Sequence, residues 1–430
     1  MIKVITYGTY DLLHYGHVRL LERAKALGDY LIVGVTSDDY DMSRGKINNQ
    51  QSLMERIAAV EATGIADEIV VEEYEGQKID DIRRLGVDIF TVGSDWEGYF
   101  DYLREYCKVV YLPRTEGVSS SELRAERRKL FIGTLGDNGL CKKFVREMKY
   151  VNGVEYKECT ESLEGIDAVY IATHPERHYA DVKRALEAGK HVICESPIAL
   201  QKKQCAELMT LAHEKGVSLV DGIKTAYSTA YSRLLGIVKS GRIGEIVSVD
   251  AVCTSLESGA GEPGVDLSQI QNSICAWGPT AMLPIFQLLG THYLSKSIIT
   301  KTIDTALNFD GFTKVDFIYE KAVASLKVAK AAKAEGELVI TGTKGYIYVP
   351  APWWKTDYFE VRFEHSSENK RHFYQLDGEG IRYEIVAFAK AVETGNGNFY
   401  INDQISMAIC KLLEDYYAGE VTRFGASVRQ

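Results

Sequence analysis

Residues 1–115 alternate short β-branched runs with helix-period segments, and this alternation restricts the possible folds more than any other feature of the sequence. Strands are predicted at 3–7, 30–36, 68–71, 88–92 and 109–112, with helices at 18–26, 54–62, 79–85 and 99–106. This order and spacing predict a parallel sheet with helices on both faces. Ligands bind at the carboxyl ends of the strands in such a sheet. We therefore expect the functional residues in the loops that follow the strands.

A second alternating region follows, with strands predicted at 129–133, 168–173, 191–194 and 218–220. Beyond residue 227 the pattern changes to strands without intervening helices, at 246–254, 302–309, 314–319, 322–327, 337–341, 345–349 and 358–363. Consecutive strands joined by short turns favour an antiparallel or mixed sheet. The predicted organisation is an α/β chain of three domains, 1–127, 128–226 and 227–430, with a helical connector at 119–128.

The composition argues against several classes of partner. With 60 acidic and 50 basic side chains, the 430-residue chain carries a net charge of −10, which disfavours general binding to nucleic acid or to an anionic membrane. The longest apolar stretch, 274–290, contains two prolines and is too short for a membrane span. Eight scattered cysteines without a C-x-x-C pair indicate reduced thiols, and without a leader pattern at residue 1 we expect a cytoplasmic protein.

The most informative segment is residues 8–17, G-T-Y-D-L-L-H-Y-G-H, which follows the first predicted strand and leads into the first helix. His14 and His17 can both face the space above the helix N-terminus. Free N–H groups and the positive end of the helix dipole favour a phosphate there, and Gly16 lets the backbone approach it. Imidazoles at this place can donate hydrogen bonds to phosphate oxygens that gain charge. Alone, an H-x-G-H pattern is more often two ordinary first-turn residues.

Further cations and hydroxyls follow the other strands of this region. Arg44, Lys46 and Arg56 come after the second strand, G-S-D-W-E-G at 93–98 follows the fourth, and R-T-E-G-V-S-S-S at 114–121 follows the fifth. Each alone is typical of a solvated surface. Because all of them lie where parallel strands end, they can converge on one cleft. Together with the two histidines they predict a triphosphate site.

These motifs resemble the glycerol-3-phosphate cytidylyltransferases, which are marked by H-x-G-H and R-T-x-G-[IV]-S-[ST]-[ST], over residues 1 to about 127. The resemblance implies a Rossmann-like domain that transfers a cytidylyl group from CTP to a polyol phosphate, above all glycerol 3-phosphate, giving pyrophosphate and a CDP-polyol for surface-polymer synthesis. It implies catalytic roles for His14, His17, Lys46 and Arg114, and nucleotide or substrate contacts for Thr9, Tyr10, Asp11, Gly16, Arg44, Arg56, Asp95, Trp96, Thr115, Ser119 and Ser120. Mg²⁺ is expected on the triphosphate, without a protein cage of its own.

The second region carries a weaker nucleotide signature, a G-x-x-G-x-x-G run at Gly133, Gly136 and Gly139 that is one residue off the dinucleotide-binding spacing. With D-A-V-Y-I-A-T at 167–173 and E-A-G-K-H-V-I-C-E-S-P at 187–197, it resembles the glucose–fructose oxidoreductase and inositol dehydrogenase family, over residues 129 to about 425. The resemblance implies a Rossmann domain for NAD(P), held in part by these glycines, Thr173 and Glu195. It also implies a following open-sheet domain that often assembles homo-oligomers.

Departures from this second family put its activity in doubt. The lysine of its E-K-P motif is Ser196 here, and its acid–base histidine is Thr280. A hydroxyl cannot replace either group in acid–base catalysis at neutral pH. Only 28 residues lead from Gly139 to Asp167, about one βαβ unit, although Glu155 is a conceivable ribose ligand.

Three interpretations of this half therefore stay open. We favour a scaffold for dimerisation and acceptor delivery. The second is an NAD(P)H-dependent reductase that makes the polyol phosphate, with Lys224, Tyr227 or His178 as a rearranged acid. The third is regulation by a bound nucleotide.

Overall fold

The computed structural model describes residues 1–44, 46, 49–74, 76–113, 129–136, 138–159, 162–256, 259–374, 376–395 and 400–425. The chain forms two compact units: an N-terminal unit, Met1–Lys129 with Val151–Gly153, and a C-terminal unit, Leu130–Tyr150 with Val154–Gln430. The predicted domain boundary near residue 227 falls inside the C-terminal unit and stays a prediction.

The N-terminal unit contains a five-stranded parallel sheet with the strand order β3-β2-β1-β4-β5. Its strands are β1 (Lys3–Gly8), β2 (Tyr30–Thr36), β3 (Glu68–Glu72), β4 (Ile89–Gly93) and β5 (Lys108–Leu112). Successive residues alternate between two apolar cores: Val4 and Val33 pack on one face, Ile5 and Ile32 on the other. Burial on both faces explains why these strands read as continuous apolar runs.

The helices of this unit are α1 (Tyr15–Lys25), α2 (Asp38–Ser43), α3 (Leu53–Glu61) and α4 (Gln77–Leu85). The helix predicted at 99–106 was wrong, because the structure has a single 3₁₀ turn there, Asp101–Glu105. The Tyr111 hydroxyl donates to Asp101 at 2.9 Å and accepts from the Phe100 amide at 3.2 Å. These bonds hold the segment against β5 and leave room for only one turn.

The C-terminal unit begins with a second parallel sheet, in the order β10-β9-β8-β6-β7. Its strands are β6 (Leu130–Gly136), β7 (Val154–Tyr156), β8 (Ala168–Ala172), β9 (His191–Glu195) and β10 (Leu219–Gly222), with helices α5 (Asn138–Met148), α6 (Pro175–Glu187) and α7 (Lys202–Lys215). The short β7 is retained, but residues 157–159 and 162–167 between β7 and β8 contain no helix. The short Gly139-to-Asp167 segment thus keeps most of α5 and all of β7, and its described residues lack a helix between β7 and β8.

A nine-stranded mixed sheet follows, in the order β18-β17-β16-β15-β11-β14-β13-β12-β19, in which β11/β14 and β12/β19 are the parallel pairs. The strands are β11 (Ile246–Thr254), β12 (Ser295–Asp304), β13 (Phe309–Ile318), β14 (Val323–Ala329), β15 (Leu338–Gly342), β16 (Gly345–Val349), β17 (Tyr358–Phe363), β18 (Lys370–Phe373) and β19 (Thr422–Arg423). The parallel and mixed sheets confirm the predicted fold class.

Two predictions for this region were wrong. The strand predicted at 302–309 crosses the β12–β13 turn, where the Asp304 carboxylate accepts the amides of Ala306 and Leu307 and Asn308 takes a left-handed φ of 47°. Helices also interrupt the strands: α8 (Thr229–Lys239), α9 (Ser273–Leu289), α10 (Ile381–Thr394) and α11 (Asp403–Tyr417). Largely buried α9 has no strong polar face, which hid it from a periodicity argument. Among the described residues, no helix combines the length and apolar character needed to cross a membrane.

Asp310 makes the stability of the C-terminal unit depend on pH. Its buried carboxylate accepts from the Ile274 amide at 3.1 Å and the Thr313 hydroxyl at 2.5 Å, and burial raises its pKa to about 6. Because the folded pKa exceeds the unfolded value, the stabilisation is complete below pH 4 and is lost as the pH rises through 6. Between these values, we expect the free energy of unfolding to fall by roughly 2–3 kcal/mol more in the wild type than in Asp310→Asn.

Urea denaturation followed by tryptophan fluorescence measures this difference. Asp316→Asn, on the same strand but only partly buried, should keep the wild-type pH profile. Equal pH dependence in the wild type and Asp310→Asn would contradict the assignment.

Candidate nucleotide-binding site

The loops after β1, β2 and β4 meet at the carboxyl edge of the N-terminal sheet. Strand β1 pairs with β2 on one side and β4 on the other, so the chain order reverses beside β1, which is where ligands bind in such sheets. Contacts join these loops: the Thr9 hydroxyl donates to Asp41 at 2.9 Å, and the Arg44 guanidinium lies 5.9 Å from the Trp96 ring. Predicted site residues from three loops thus lie along one edge, among the residues that the structure describes.

The two histidines of H-x-G-H begin helix α1. His14 is the N-cap residue, and its Nδ1 accepts from the Gly16 amide at 3.1 Å. His17 occupies the third helical position, and its Nδ1 accepts from the His14 amide at 3.4 Å. This is a capping box built from imidazoles instead of the usual hydroxyl and carboxylate. The two rings are stacked with their centroids 4.0 Å apart and their planes at 20°.

The capping bonds also set the tautomer of each ring. A backbone N–H can only donate, so both Nδ1 atoms must present a lone pair. The proton of each neutral ring is therefore on Nε2, on the opposite side from the cap. The two imidazoles are thus held parallel with Nε2–H as the donor each can offer to a phosphate oxygen.

Tyr10 supports this arrangement from below. Its side chain is buried in the core under α1, and its ring meets the edge of His17 with 5.5 Å between centroids. Tyr10 and Leu12 have left-handed φ values of 55° and 47°, a conformation that costs non-glycine residues on the order of 1–3 kcal/mol. The loop between β1 and α1 is thus held in one strained shape. Direct contact between Tyr10 and a nucleotide stays a prediction.

Asp41, which sequence reasoning missed, connects the predicted cations. Its fully buried carboxylate accepts from Thr9 at 2.9 Å and from Asn49 at 3.1 Å. The Lys46 ammonium lies 3.6 Å from Asp41 and donates to the Thr9 hydroxyl at 2.5 Å. The signal that could have found Asp41 is the acidic run S-D-D-Y-D directly after β2, at the carboxyl edge.

Arg56 is fully buried and binds backbone rather than solvent. Its guanidinium donates to the carbonyls of Thr9 at 2.7 Å, Thr36 at 2.8 Å and Gln51 at 3.2 Å, and it forms an ion pair with Asp38. It therefore joins the ends of β1 and β2 to the start of α3. In this structure Arg56 is a positioning residue, and its predicted contact with the nucleotide stays a prediction.

Asp11 likewise organises backbone. It is fully buried, and its Oδ1 accepts from the amides of Gln50 and Gln51, both at 3.0 Å. In the other direction, the Leu12 amide donates a hydrogen bond to the Gln51 side chain at 2.8 Å. These bonds fix the loop before α3 against the loop before α1. The predicted role of Asp11 beside triphosphate and acceptor would be exerted through this loop.

Arg44 and Trp96 form the more exposed end of the site. Arg44 follows α2, stacks over the Tyr40 ring at 5.4 Å and lies 4.0 Å from the Glu72 carboxylate. Trp96 and Asp95 are exposed in the 3₁₀ turn Ser94–Trp96 after β4. An aromatic ring beside a guanidinium offers a planar surface to a base. The predicted residues Arg114, Thr115, Ser119 and Ser120 lie outside the described residues.

The glycine run of the C-terminal unit has the predicted strand–turn–helix context. Gly133 and Gly136 lie in β6, and Gly139 is in the first turn of α5. Gly136 has a φ of 116°, and a Cβ there would lie 2.3 Å from the Ala172 carbonyl, so sheet packing alone already requires glycine. At the neighbouring strand end, the buried Thr173 Oγ1 has no hydrogen-bond partner. Glu155 lies in the middle of β7, opposite Phe131, and not at its carboxyl end.

The candidate acids of this unit are placed very differently. Buried His178 has its ring nitrogens 2.7 Å from the carbonyl oxygens of Pro197 and Thr173, and burial lowers its pKa. The buried Tyr227 hydroxyl donates to the Asp221 carbonyl at 2.9 Å. Both side chains therefore serve the packing.

Lys224 is the third candidate, and its ammonium pairs with a carboxylate. It follows β10, is 29% exposed and lies 3.3 Å from Glu379. Ser196 directly follows β9 and Thr280 lies within α9, and their correspondence to the lysine and histidine of the resembled family stays a prediction. Glu195 accepts a hydrogen bond from the Tyr170 hydroxyl, and desolvation raises its pKa.

Comparison with known proteins gives two separate matches. The cytidylyltransferase-like family matches residues 5–126. Glycerol-3-phosphate cytidylyltransferase from Bacillus spizizenii is 47% identical over 130 residues, which are 30% of this chain and 100% of the relative. The Staphylococcus aureus protein of the same name is 45% identical over 126 residues, 29% of this chain and 95% of the relative.

The second match concerns the C-terminal unit. The oxidoreductase family with an NAD-binding Rossmann fold matches residues 132–222. A 3-ketoreductase from Actinomadura kijaniata, solved with NADP and TDP-benzene, superposes with a TM-score of 0.59 at 16% identity, covering 69% of this chain and 100% of that one. At this identity the likeness establishes the fold alone. Each resemblance drawn from the sequence thus has a matching family model, over residues 5–126 and 132–222.

We expect Arg56→Lys to disturb the whole edge of the N-terminal sheet. Lysine keeps the charge, but its single ammonium group cannot donate to three carbonyls and pair with Asp38 at the same time, as the planar guanidinium does. The free energy of unfolding of this unit should fall by about 2–4 kcal/mol, measured by urea denaturation of the full chain. Arg19→Lys, an exposed change on α1, should be neutral within about 0.5 kcal/mol. A neutral Arg56→Lys would show that the guanidinium network does not hold the loops.

Proposed function

Because the chain belongs to the glycerol-3-phosphate cytidylyltransferase family through its N-terminal unit, we propose that this nucleotidyltransferase converts CTP and glycerol 3-phosphate into CDP-glycerol and pyrophosphate. The observation that supports it best is the stacked His14–His17 pair, whose caps direct both Nε2–H groups away from the helix. The glycerol acceptor is taken from the relatives. Supply of CDP-glycerol to surface-polymer synthesis stays a prediction.

The proposed reaction is a displacement at the α-phosphorus of CTP. An oxygen of the acceptor phosphate forms the new P–O bond, and the bond to the α–β bridging oxygen breaks, so that pyrophosphate leaves with the electron pair. The acceptor oxygen is already anionic and needs no general base. His14 and His17 would donate to the α-phosphate oxygens, where preorganised donors stabilise developing charge. Positioning and neutralisation of charge supply most of the catalysis in such transfers.

The remaining phosphates require cations on the same edge. Lys46, held at Thr9 and Asp41, would neutralise the β- and γ-phosphates together with Arg114. Arg44 and Trp96 would face the nucleoside. Arg56 and Asp11 act through the backbone they hold, so they keep the loops in the shape that fits the triphosphate.

Mg²⁺ fits this site as a nucleotide-bound ion. Among the described residues, no group of three or more His, Cys, Asp or Glu side chains forms a metal site. The carboxylates nearest the histidine loop, Asp11 and Asp41, already accept backbone or side-chain donors. Magnesium carried on triphosphate oxygens typically needs only one or two protein ligands. When bound, it would offset the negative charge of the phosphates.

For the C-terminal unit we propose a scaffold that holds the acceptor and assembles the protein through its mixed sheet. His178 and Tyr227 are used in packing, and Ser196 and Thr280 supply no group that exchanges a proton at neutral pH. The glycine turn and the unpartnered Thr173 hydroxyl fit a dinucleotide in part, but no crossover helix stands in the described residues between β7 and β8. The alternative, an NAD(P)H-dependent reductase, relies on Lys224.

We expect His17→Ala to lower kcat for pyrophosphate release by about 10²- to 10³-fold, because one oxyanion donor is lost. His17→Gln keeps an acceptor at the capping position, so it should restore the stability of α1 but not turnover. Release of pyrophosphate from CTP and glycerol 3-phosphate measures the rate, and circular dichroism the fold. Arg19→Ala, two residues further along α1, is the matched control. Wild-type turnover in His17→Ala would remove the proposed site.

The scaffold assignment predicts no reductase chemistry. With NADPH and dihydroxyacetone phosphate, the full chain should show no loss of absorbance at the nicotinamide band. Lys224→Met distinguishes the alternative. Consumption of NADPH by the wild type that this substitution abolishes would replace the scaffold by the reductase.

A further inference from the structure

Three lysines of the C-terminal unit converge on one carboxylate oxygen. The ammonium groups of Lys355, Lys224 and Lys143 lie 2.9, 3.3 and 3.8 Å from Oε2 of Glu379. They come from three separate parts of the fold: the 3₁₀ turn Trp353–Lys355, the turn after β10, and helix α5. One carboxylate cannot neutralise three cations, so this cluster carries excess positive charge.

Glu379 is presented to the lysines by an unusual backbone. It lies between Gly378 and Gly380, and the three consecutive residues have left-handed φ values of 56°, 57° and 92°. A non-glycine residue in this region costs on the order of 1–3 kcal/mol and persists only where the surroundings enforce it. Although desolvation opposes it, pairing with Lys355 and Lys224 lowers the pKa of Glu379 to about 2. The carboxylate is therefore ionised, and the backbone that carries it is held in place.

The cluster is open to solvent and adjoins buried polar groups. The side chains of Lys143, Lys224, Lys355 and Glu379 are 47, 29, 35 and 36% exposed. Lys224 also interacts electrostatically with the carboxyls of Glu195 and Glu384, and desolvation raises the pKa of both. The Oε1 atom of buried Glu384 has no hydrogen-bond partner.

Nearby charges do not cancel the excess. Arg382 pairs with Glu147 at 3.1 Å and with Asp377 at 3.3 Å, so those carboxylates are already engaged. Glu195 and Glu384 interact electrostatically with Lys224, so this lysine is shared among several carboxyls. Lys143 and Lys355 both face the single carboxylate of Glu379, which is the geometry that leaves positive charge in excess.

We propose that Lys143, Lys224 and Lys355 form a binding site for the phosphate group of a small polyhydroxy phosphate ester, with Glu379 occupying the position of a phosphate oxygen until the ester binds. Three ammonium donors around one oxygen are the arrangement that a tetrahedral dianion uses. The buried carboxyls of Glu195 and Glu384 would accept hydrogen bonds from the hydroxyls of the ester. That the ester is glycerol 3-phosphate rests on the proposed function; the anion site itself does not.

The test is isothermal titration of the full chain with glycerol 3-phosphate. The wild type should bind one equivalent of glycerol 3-phosphate at the lysines. The double variant Lys143→Ala/Lys355→Ala should bind this equivalent at least about 30-fold more weakly. Pyrophosphate release by the same variant should keep its kcat and its KM for glycerol 3-phosphate. Glu379→Gln should bind this equivalent about tenfold more tightly, because the internal anion is removed. Lys142→Ala, an exposed neighbour on α5, should behave as the wild type.

Each other outcome counts against the site. Binding that is unchanged in the double variant, or matched by unphosphorylated glycerol, would overturn it. A double variant that loses affinity for NADPH alone would assign the lysines to a dinucleotide and overturn the proposal as well. Failure of the proposed cytidylyl transfer gives a different result. The wild type would then release no pyrophosphate, while binding of glycerol 3-phosphate at the three lysines would persist.

Discussion

The N-terminal site depends on two imidazoles that serve as the cap of a helix. Four backbone N–H groups at a helix start need acceptors, and His14 and His17 satisfy two of them through Nδ1. The same bonds fix ring orientation and the Nε2–H tautomer. A substitution at either position should therefore affect the local folding of α1 and, under the proposed function, also the orientation of a phosphate donor.

Buried charge fixes the loops around this cap. Arg56 and Asp41 are fully removed from solvent, and burial of charge is costly unless every donor and acceptor is matched. Here the Arg56 guanidinium donates hydrogen bonds to carbonyls at the ends of β1 and β2 and in the loop before α3. The Asp41 carboxylate accepts a hydrogen bond from the Thr9 hydroxyl and forms an ion pair with Lys46. The main effect of this network is to hold the loops in one conformation, and its net contribution to the free energy of unfolding is smaller. A binding edge for a flexible triphosphate benefits from that rigidity, since less ordering remains for the bound state.

The sequence predicted most of this edge and missed its connections. Parallel strands were predictable because β1 and β2 are buried on both faces, and the histidine loop because it follows β1. The role of Asp41 and the burial of Arg56 were not predictable, because a charged residue after a strand is expected to be exposed to solvent unless its partners are known. In the C-terminal unit, α9 was missed because burial on all sides removes its periodicity. The lysine cluster could not be predicted at all, because its members are brought together from positions 143, 224 and 355 by the fold.

The C-terminal unit places groups of opposite charge at the carboxyl edge of its parallel sheet. Strands β9 and β10 are neighbours, so their carboxyl ends reach the same edge. At the end of β9 stands the hydroxyl of Ser196, whereas the ammonium of Lys224 follows β10 and is engaged by Glu379. Positive charge is thus present at this edge, but it faces an anion instead of a group to be protonated. A site arranged in this way favours holding a phosphate ester over reducing one, which agrees with the scaffold role proposed for this unit.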